Sequence, residues 1–201
     1  IIIIAAVVGV LVLCCCIILV TVGILGYTGT ISLPFFGPAL NATYTYEEDE
    51  VLLEFNYPLE WYVSDEYGDF YVGTVRNIED LDSAEEGEFY MLFVFDEKEY
   101  LESEDLTVAL EFMHDDITDY EEDLVVSEIK STKINGNSAA YFTFSGYSYD
   151  FDGEIEGKIL IWDVDEEYVA MAYGFAGGEN FNQYESTMDG IIKSLILEIE
   201  Y

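Results

Sequence analysis

Positive charge is the scarcest commodity in this chain: six Lys and Arg stand against 42 Asp and Glu in 201 residues, a net charge of −36 at pH 7. Nucleic-acid recognition needs clustered Lys and Arg to displace condensed counterions, so this balance excludes it. There is one histidine, His114, and there are three cysteines, Cys14, Cys15 and Cys16, so residues 47–201 contain no cysteine to form a disulfide framework. Charge of either sign is missing from the first part of the chain, where the first charged side chain is Glu47. All 42 acids therefore fall in residues 47–201, and the chain divides into two physically different parts. A hydrophobic content of 51% and 32 aromatic residues exclude disorder despite the charge. Residues 47–201 match one domain of ordinary size with its own core.

Residues Ile1 to Leu25 read IIIIAAVVGVLVLCCCIILVTVGIL, apolar on every face. A helix of that length reaches about 37 Å at 1.5 Å per residue, enough to cross a bilayer core of about 30 Å. With no polar stripe it must be buried all round, in lipid or among copies of itself. The run is longer than the apolar region of a signal peptide and lacks a basic flank and a small-residue cleavage site. A start on Ile1 without Met suggests removal of something upstream. The residues assigned to helix assembly are Ile1, Ile4, Val8, Val12, Cys15, Leu19 and Val22. The three cysteines lie about 100° apart around such a helix and cannot gather tetrahedrally on one ion, so they read as small hydrophobes, with lipid attachment or an intersubunit disulfide as the alternatives. Residues 27–46 form a Gly- and Pro-containing linker, in which Asn41-Ala42-Thr43 is the only Asn-x-Ser/Thr sequon. Asn41 is thus a glycosylation candidate and points to a location outside the cell.

From Glu47 onward the pattern predicts strands at Leu53–Tyr57, Phe89–Phe95, Tyr141–Tyr147, Lys158–Val164 and Tyr168–Phe175. Asp152-Gly153 is the strongest hairpin signal, and the second half reads as an antiparallel meander. Two segments have helical spacing. Ser103–Asp116 places Leu106, Ala109, Leu110 and Met113 on one face with Ser103 as N-cap, and Phe181, Tyr184, Met188, Ile191, Ile192 and Leu195 recur at three-to-four intervals. The order predicts an α+β fold, with an antiparallel sheet covered by two amphipathic helices.

Chemistry is sparse. His114 sits beside Asp115 and Asp116 with no nucleophile implied, reads as a surface residue, and gives no reason to expect an enzyme. Two acidic groups, Asp150, Asp152, Glu154 and Glu156, then Asp163, Asp165, Glu166 and Glu167, bracket turns where calcium ligands could converge, yet neither has EF-hand spacing. They read as part of a solvated acidic coat holding weakly bound cations. No cofactor or tightly held metal is expected. Such a coat makes neighbouring heads repel over about 10 Å at 0.1 M salt and about 3 Å at 1 M.

Phe55-Asn56-Tyr57-Pro58-Leu59-Glu60-Trp61 resembles the Phe-x-Tyr-Pro-x-x-Trp opening of PsbP-like domains. Ile134-Asn135-Gly136-Asn137-Ser138-Ala139 resembles their mid-domain turn, and Ile191-Ile192-Lys193-Ser194-Leu195 their closing helix. The resemblance covers residues 51–196 and implies an α/β/α sandwich but little about function. The apolar start followed by a β-rich head resembles the architecture of archaeal type IV pilins, although Ala5 stands where bacterial pilins carry Glu. Together these readings give an apolar helix over 1–26, a linker over 27–46 and an acidic PsbP-like head over 47–201. The function they imply is a structural subunit of an extracellular filament. It would be inserted in the membrane first and then polymerise with copies of itself through the helix. The alternative is a membrane-anchored head that binds a partner or Ca²⁺ outside the cell.

Overall fold

The computed structural model describes residues 38–48, 51–66, 69–74, 85, 87–101, 103–120, 123–178 and 180–199. The helix expected over 1–26, with its assembly residues and the three cysteines, lies outside them. Along the described chain run β1 (Ala42–Glu48), β2 (Val51–Tyr57), β3 (Tyr62–Glu66), β4 (Asp69–Gly73), β5 (Phe89–Glu97), α1 (Leu106–Tyr120), β6 (Leu124–Val126), β7 (Lys130–Ile134), β8 (Asn137–Ser148), β9 (Gly153–Asp163), β10 (Tyr168–Gly177), α2 (Phe181–Ser194) and β11 (Ile196–Ile199).

Eight strands form one sheet in the order β3-β4-β5-β10-β9-β8-β6, with β7 also paired to β8, and three form a second, β1-β2-β11. Every pairing is antiparallel. The α+β class expected with a long N-terminal helix is therefore corrected: 54% of the described residues are strand, against two α-helices. Segments without strong apolar patterning cause the difference. Residues 42–46 are strand, pairing Ala42 with Tyr57 through Tyr46 with Leu53. The chain leaves α2 at Leu195 and returns as Ile196–Ile199 along Val51–Glu54.

The five predicted strands are present, and β8, β9 and β10 form the expected meander. Among the described residues, a two-residue hairpin turn is found elsewhere than at Asp152-Gly153. It is Asn135-Gly136 between Ile134 and its partner Asn137, both turn residues at positive φ as a two-residue turn of this hand requires. At the β8–β9 junction Ser148 pairs with Gly153, so the loop holds four residues, and Asp152 rather than Gly153 takes the left-handed conformation. Helix α1 starts later than expected. Asp105, not Ser103, caps it, its carboxylate accepting the Thr107 N–H at 3.0 Å and the Thr107 hydroxyl at 2.7 Å.

Two apolar cores flank the large sheet. One lies beneath α2 and the small sheet, around Leu53, Phe55, Phe93, Trp162 and Met188. The other lies beneath α1, around Leu106, Leu110, Phe142, Phe144 and Ile159. The Phe-x-Tyr-Pro-x-x-Trp segment serves the first: the Trp61 N–H bonds the Pro58 carbonyl in a turn, and its buried ring meets Phe89 at 5.0 Å and Tyr184 at 5.8 Å.

Candidate functional site

The two faces of the large sheet are covered unequally. On β5 and β10 the side chains turned toward α2 and the small sheet, Met91, Phe93, Ala170 and Ala172, are fully buried. Those between them, Leu92, Val94, Met171 and Tyr173, face the other way and are half-buried. Helix α1 lies chiefly over β8 and β6, which leaves the α1 side of β5 and β10 partly open.

The opening is a groove of about 860 Å³. Its floor is set by sheet register: Leu92, Tyr173 and Ile159 lie in one row across three strands, and Val94 and Met171 lie in the next. Helix α1 gives one wall through Met113, Asp116 and Ile117, and the β8–β9 loop gives another through Tyr149, Asp150 and Phe151. Gly157 makes the flat floor possible. A Cβ there would stand 2.3 Å from the Phe144 ring and 2.5 Å from the Gly174 carbonyl oxygen, so only glycine lets Phe144 lie stacked on Tyr173 at 5.5 Å. Phe151 folds in from the loop onto Phe175 at 4.5 Å. The charged lining is acidic, Asp116 and Asp150, both exposed.

The acidic groups do not close around an ion. Alternation along β9 sends Ile155 and Ile159 toward α1, hence Glu154, Glu156 and Lys158 to the opposite face, while Asp150 lines the groove. Asp152 takes the Tyr147 hydroxyl. In the second group, Asp163 meets Lys98 at 2.8 Å, and Asp165 shapes its turn by accepting the Glu167 and Tyr168 N–H groups. Glu166 and Glu167 line a smaller hollow with Glu97 and Glu99. There, loss of solvent and then the Glu99 carboxylate hold Glu97 above the ordinary carboxylate range. Among the described residues no three His, Cys, Asp or Glu side chains are placed to hold a metal.

His114 departs from the surface reading. Its Nε2 lies 3.2 Å from the Ser127 carbonyl and its ring packs edge-on against Phe142 at 5.3 Å, so it ties α1 to the sheet. Asn41 is exposed; its Oδ1 accepts the Leu59 N–H at 2.7 Å. Lys158 is basic in an apolar run, and sequence reasoning did not single it out. Its side chain is buried on the α2 face, 3.0 Å from Asp189, 3.3 Å from Glu185 and 5.0 Å from the centre of the Tyr141 ring.

No family model matches the chain, and no curated protein matches it. Among solved structures it is similar to LpqN, involved in cell envelope biogenesis of Mycobacterium tuberculosis, at 10% identity and a TM-score of 0.53, over 78% of this chain and 91% of that one. That likeness shows the fold alone. The cyanobacterial PsbP of Synechocystis sp. PCC 6803 also matches, at 13% identity and a TM-score of 0.47, over 86% of this chain and 96% of that one. It belongs to the family that the motifs in residues 51–196 resemble. The Saccharomyces cerevisiae Ran-binding protein Mog1p matches at 7% identity and a TM-score of 0.49, over 72% and 89% of the two chains.

Proposed function

We propose that the chain is a membrane-tethered binding protein, with residues 1–26 as the tether and the acidic head presenting its groove to a partner outside the cell. The observation that carries this reading is the groove itself. It is a concave, mainly apolar site with a few polar groups at its edge, on a sheet face that the protein's own helix leaves open, and it has the size of a ligand site. Among the described residues no helix is long and apolar enough to cross a membrane, so the tether rests on the 25-residue apolar run.

Polymerisation is the second reading, and the specific feature in its favour is that this run is apolar on every face, as a filament core demands. Ile1, Ile4, Val8, Val12, Cys15, Leu19 and Val22 would then pack copy against copy, with the acidic heads outermost. One fractionation separates the two. Surface appendages are sheared from intact cells and examined by electron microscopy, and the remaining membranes are extracted with detergent, with this chain traced in both. Recovery as detergent-soluble monomers from the membrane supports the tether. Recovery in sheared filaments establishes the polymer and overturns the tether.

A further inference from the structure

We infer that the partner seated in this groove is a basic amphipathic helix, presented by another protein, that lays an apolar face on the sheet and its Lys or Arg residues against the acidic edge. The inference rests on the groove being a binding site and adds the chemistry of what fills it.

The shape and the charge both select this occupant. The floor is the face of a sheet rather than a free edge, and its row of Leu92, Tyr173 and Ile159 offers no unpaired backbone, so a strand has nothing to extend. The groove is partly open to solvent, so an occupant must tolerate water on its outer surface. An amphipathic helix does, with apolar anchors at i, i+3, i+4 and i+7 facing inward. An acyl chain would stay partly wet, and an anionic headgroup would meet Asp116 and Asp150 at the edge. Those two acids stand on different walls, one on α1 and one on the β8–β9 loop. A helix lying between the walls is therefore flanked by negative charge on two sides. At −36 overall the head steers cations in and turns anions away.

The test uses the full chain in nanodiscs of zwitterionic lipid. It measures binding of a labelled Leu/Lys peptide of helical periodicity, a scrambled peptide of the same composition, and a neutral long-chain alcohol. The amphipathic peptide is expected to bind saturably and at least ten-fold tighter than the scrambled one. Asp116→Asn with Asp150→Asn should weaken it several-fold and flatten its salt dependence. Met171→Asp should abolish binding; since that change could unfold the sheet, a photoreactive group on the apolar face of the peptide should also label the α1 wall or the β8–β9 loop of the parent. Equal binding of the two peptides, or labelling elsewhere, overturns the inference by reducing it to attraction toward the acidic coat. Binding of the neutral alcohol in the groove without the peptide overturns the helix and leaves the binding site standing. No binding of any of the three overturns both.

Discussion

Neutralising the two carboxylates that face Lys158, by Glu185→Gln together with Asp189→Asn, is expected to destabilise the head even though it relieves an excess of negative charge. The Lys158 side chain is 8% exposed, whereas Glu185 and Asp189 keep 45% and 31% of theirs in solvent. The cost of leaving water therefore falls on the cation, and the acids on α2 compensate it at little cost to themselves. Stripping the partners from a buried charge costs about 3–5 kcal/mol. The Tyr141 ring at 5.0 Å stays in place and the new amide oxygens can still accept a hydrogen bond, which brings the net loss to about 2–3 kcal/mol. For a folded unit of this size that lowers Tm by roughly 4–12 °C. Lys158→Met keeps the packing of the stem and returns the acids to water, so it should change stability by about 1 kcal/mol or less. Long-range repulsion in the acidic coat gives the opposite order, because the first variant removes two negative charges and the second removes a positive one. Thermal melts of both variants at 0.1 M and 1 M salt decide between them. An acid-neutralised variant that melts at or above the parent, with Lys158→Met below it, would refute the reasoning.

Gly157→Ala should cost about 1–3 kcal/mol by forcing Phe144 off Tyr173, read as a lower urea midpoint with an unchanged slope; an unshifted midpoint would mean that the floor yields. Asp105→Ala should lower the melting temperature by removing the cap of α1. The Thr107 hydroxyl and then the Thr107 N–H hold the Asp105 carboxyl below its ordinary value, so the cap's contribution is full above the unfolded-state value and is lost as pH falls through the lower folded one. The gap between parent and variant should therefore close in acid, below about pH 4, and a gap that persists there counts against the cap. Asn41 should carry a glycan when the chain is made in a host with N-glycosylation, since the Leu59 N–H bond engages Oδ1 and leaves Nδ2 to be modified. Intact mass decides it, and an unmodified chain removes the sequon from the case for an outside location.

The central strands were legible because a strand with apolar side chains on both faces writes itself as a near-continuous apolar run, as Phe89–Phe95 and Tyr168–Phe175 do. The outlying strands were not. Lys130–Ile134 buries only Ile134, so it carries no alternation to read and is held in place by its partner Asn137–Tyr141. Ala42–Glu48 alternates Tyr with Thr or acid, but residues 42–46 follow on the Gly and Pro residues of a connector and read as its end. Ile196–Ile199 continues the helical spacing of α2 closely enough to hide the turn at Leu195. These short segments form or extend sheets, and together they shift the class from α+β toward mostly β.

The groove was illegible for a different reason. Leu92, Val94, Met171 and Tyr173 are as apolar as the residues that alternate with them, so the sequence of β5 and β10 gives no sign that one face is fully covered and the other is not. What decides it is which strands α1 crosses, and that depends on contacts between segments far apart in the chain. Lys158 was half-legible. Ile155, Gly157 and Ile159 fix its side of β9, and Glu185 and Asp189 lie four residues apart on one face of α2. Only folding brings them together, across 27 and 31 residues. In a chain with 42 acids a cluster of carboxylates is the ordinary outcome and locates nothing, whereas a buried lysine among only six basic residues marks a place where acids must face it for as long as the lysine is there.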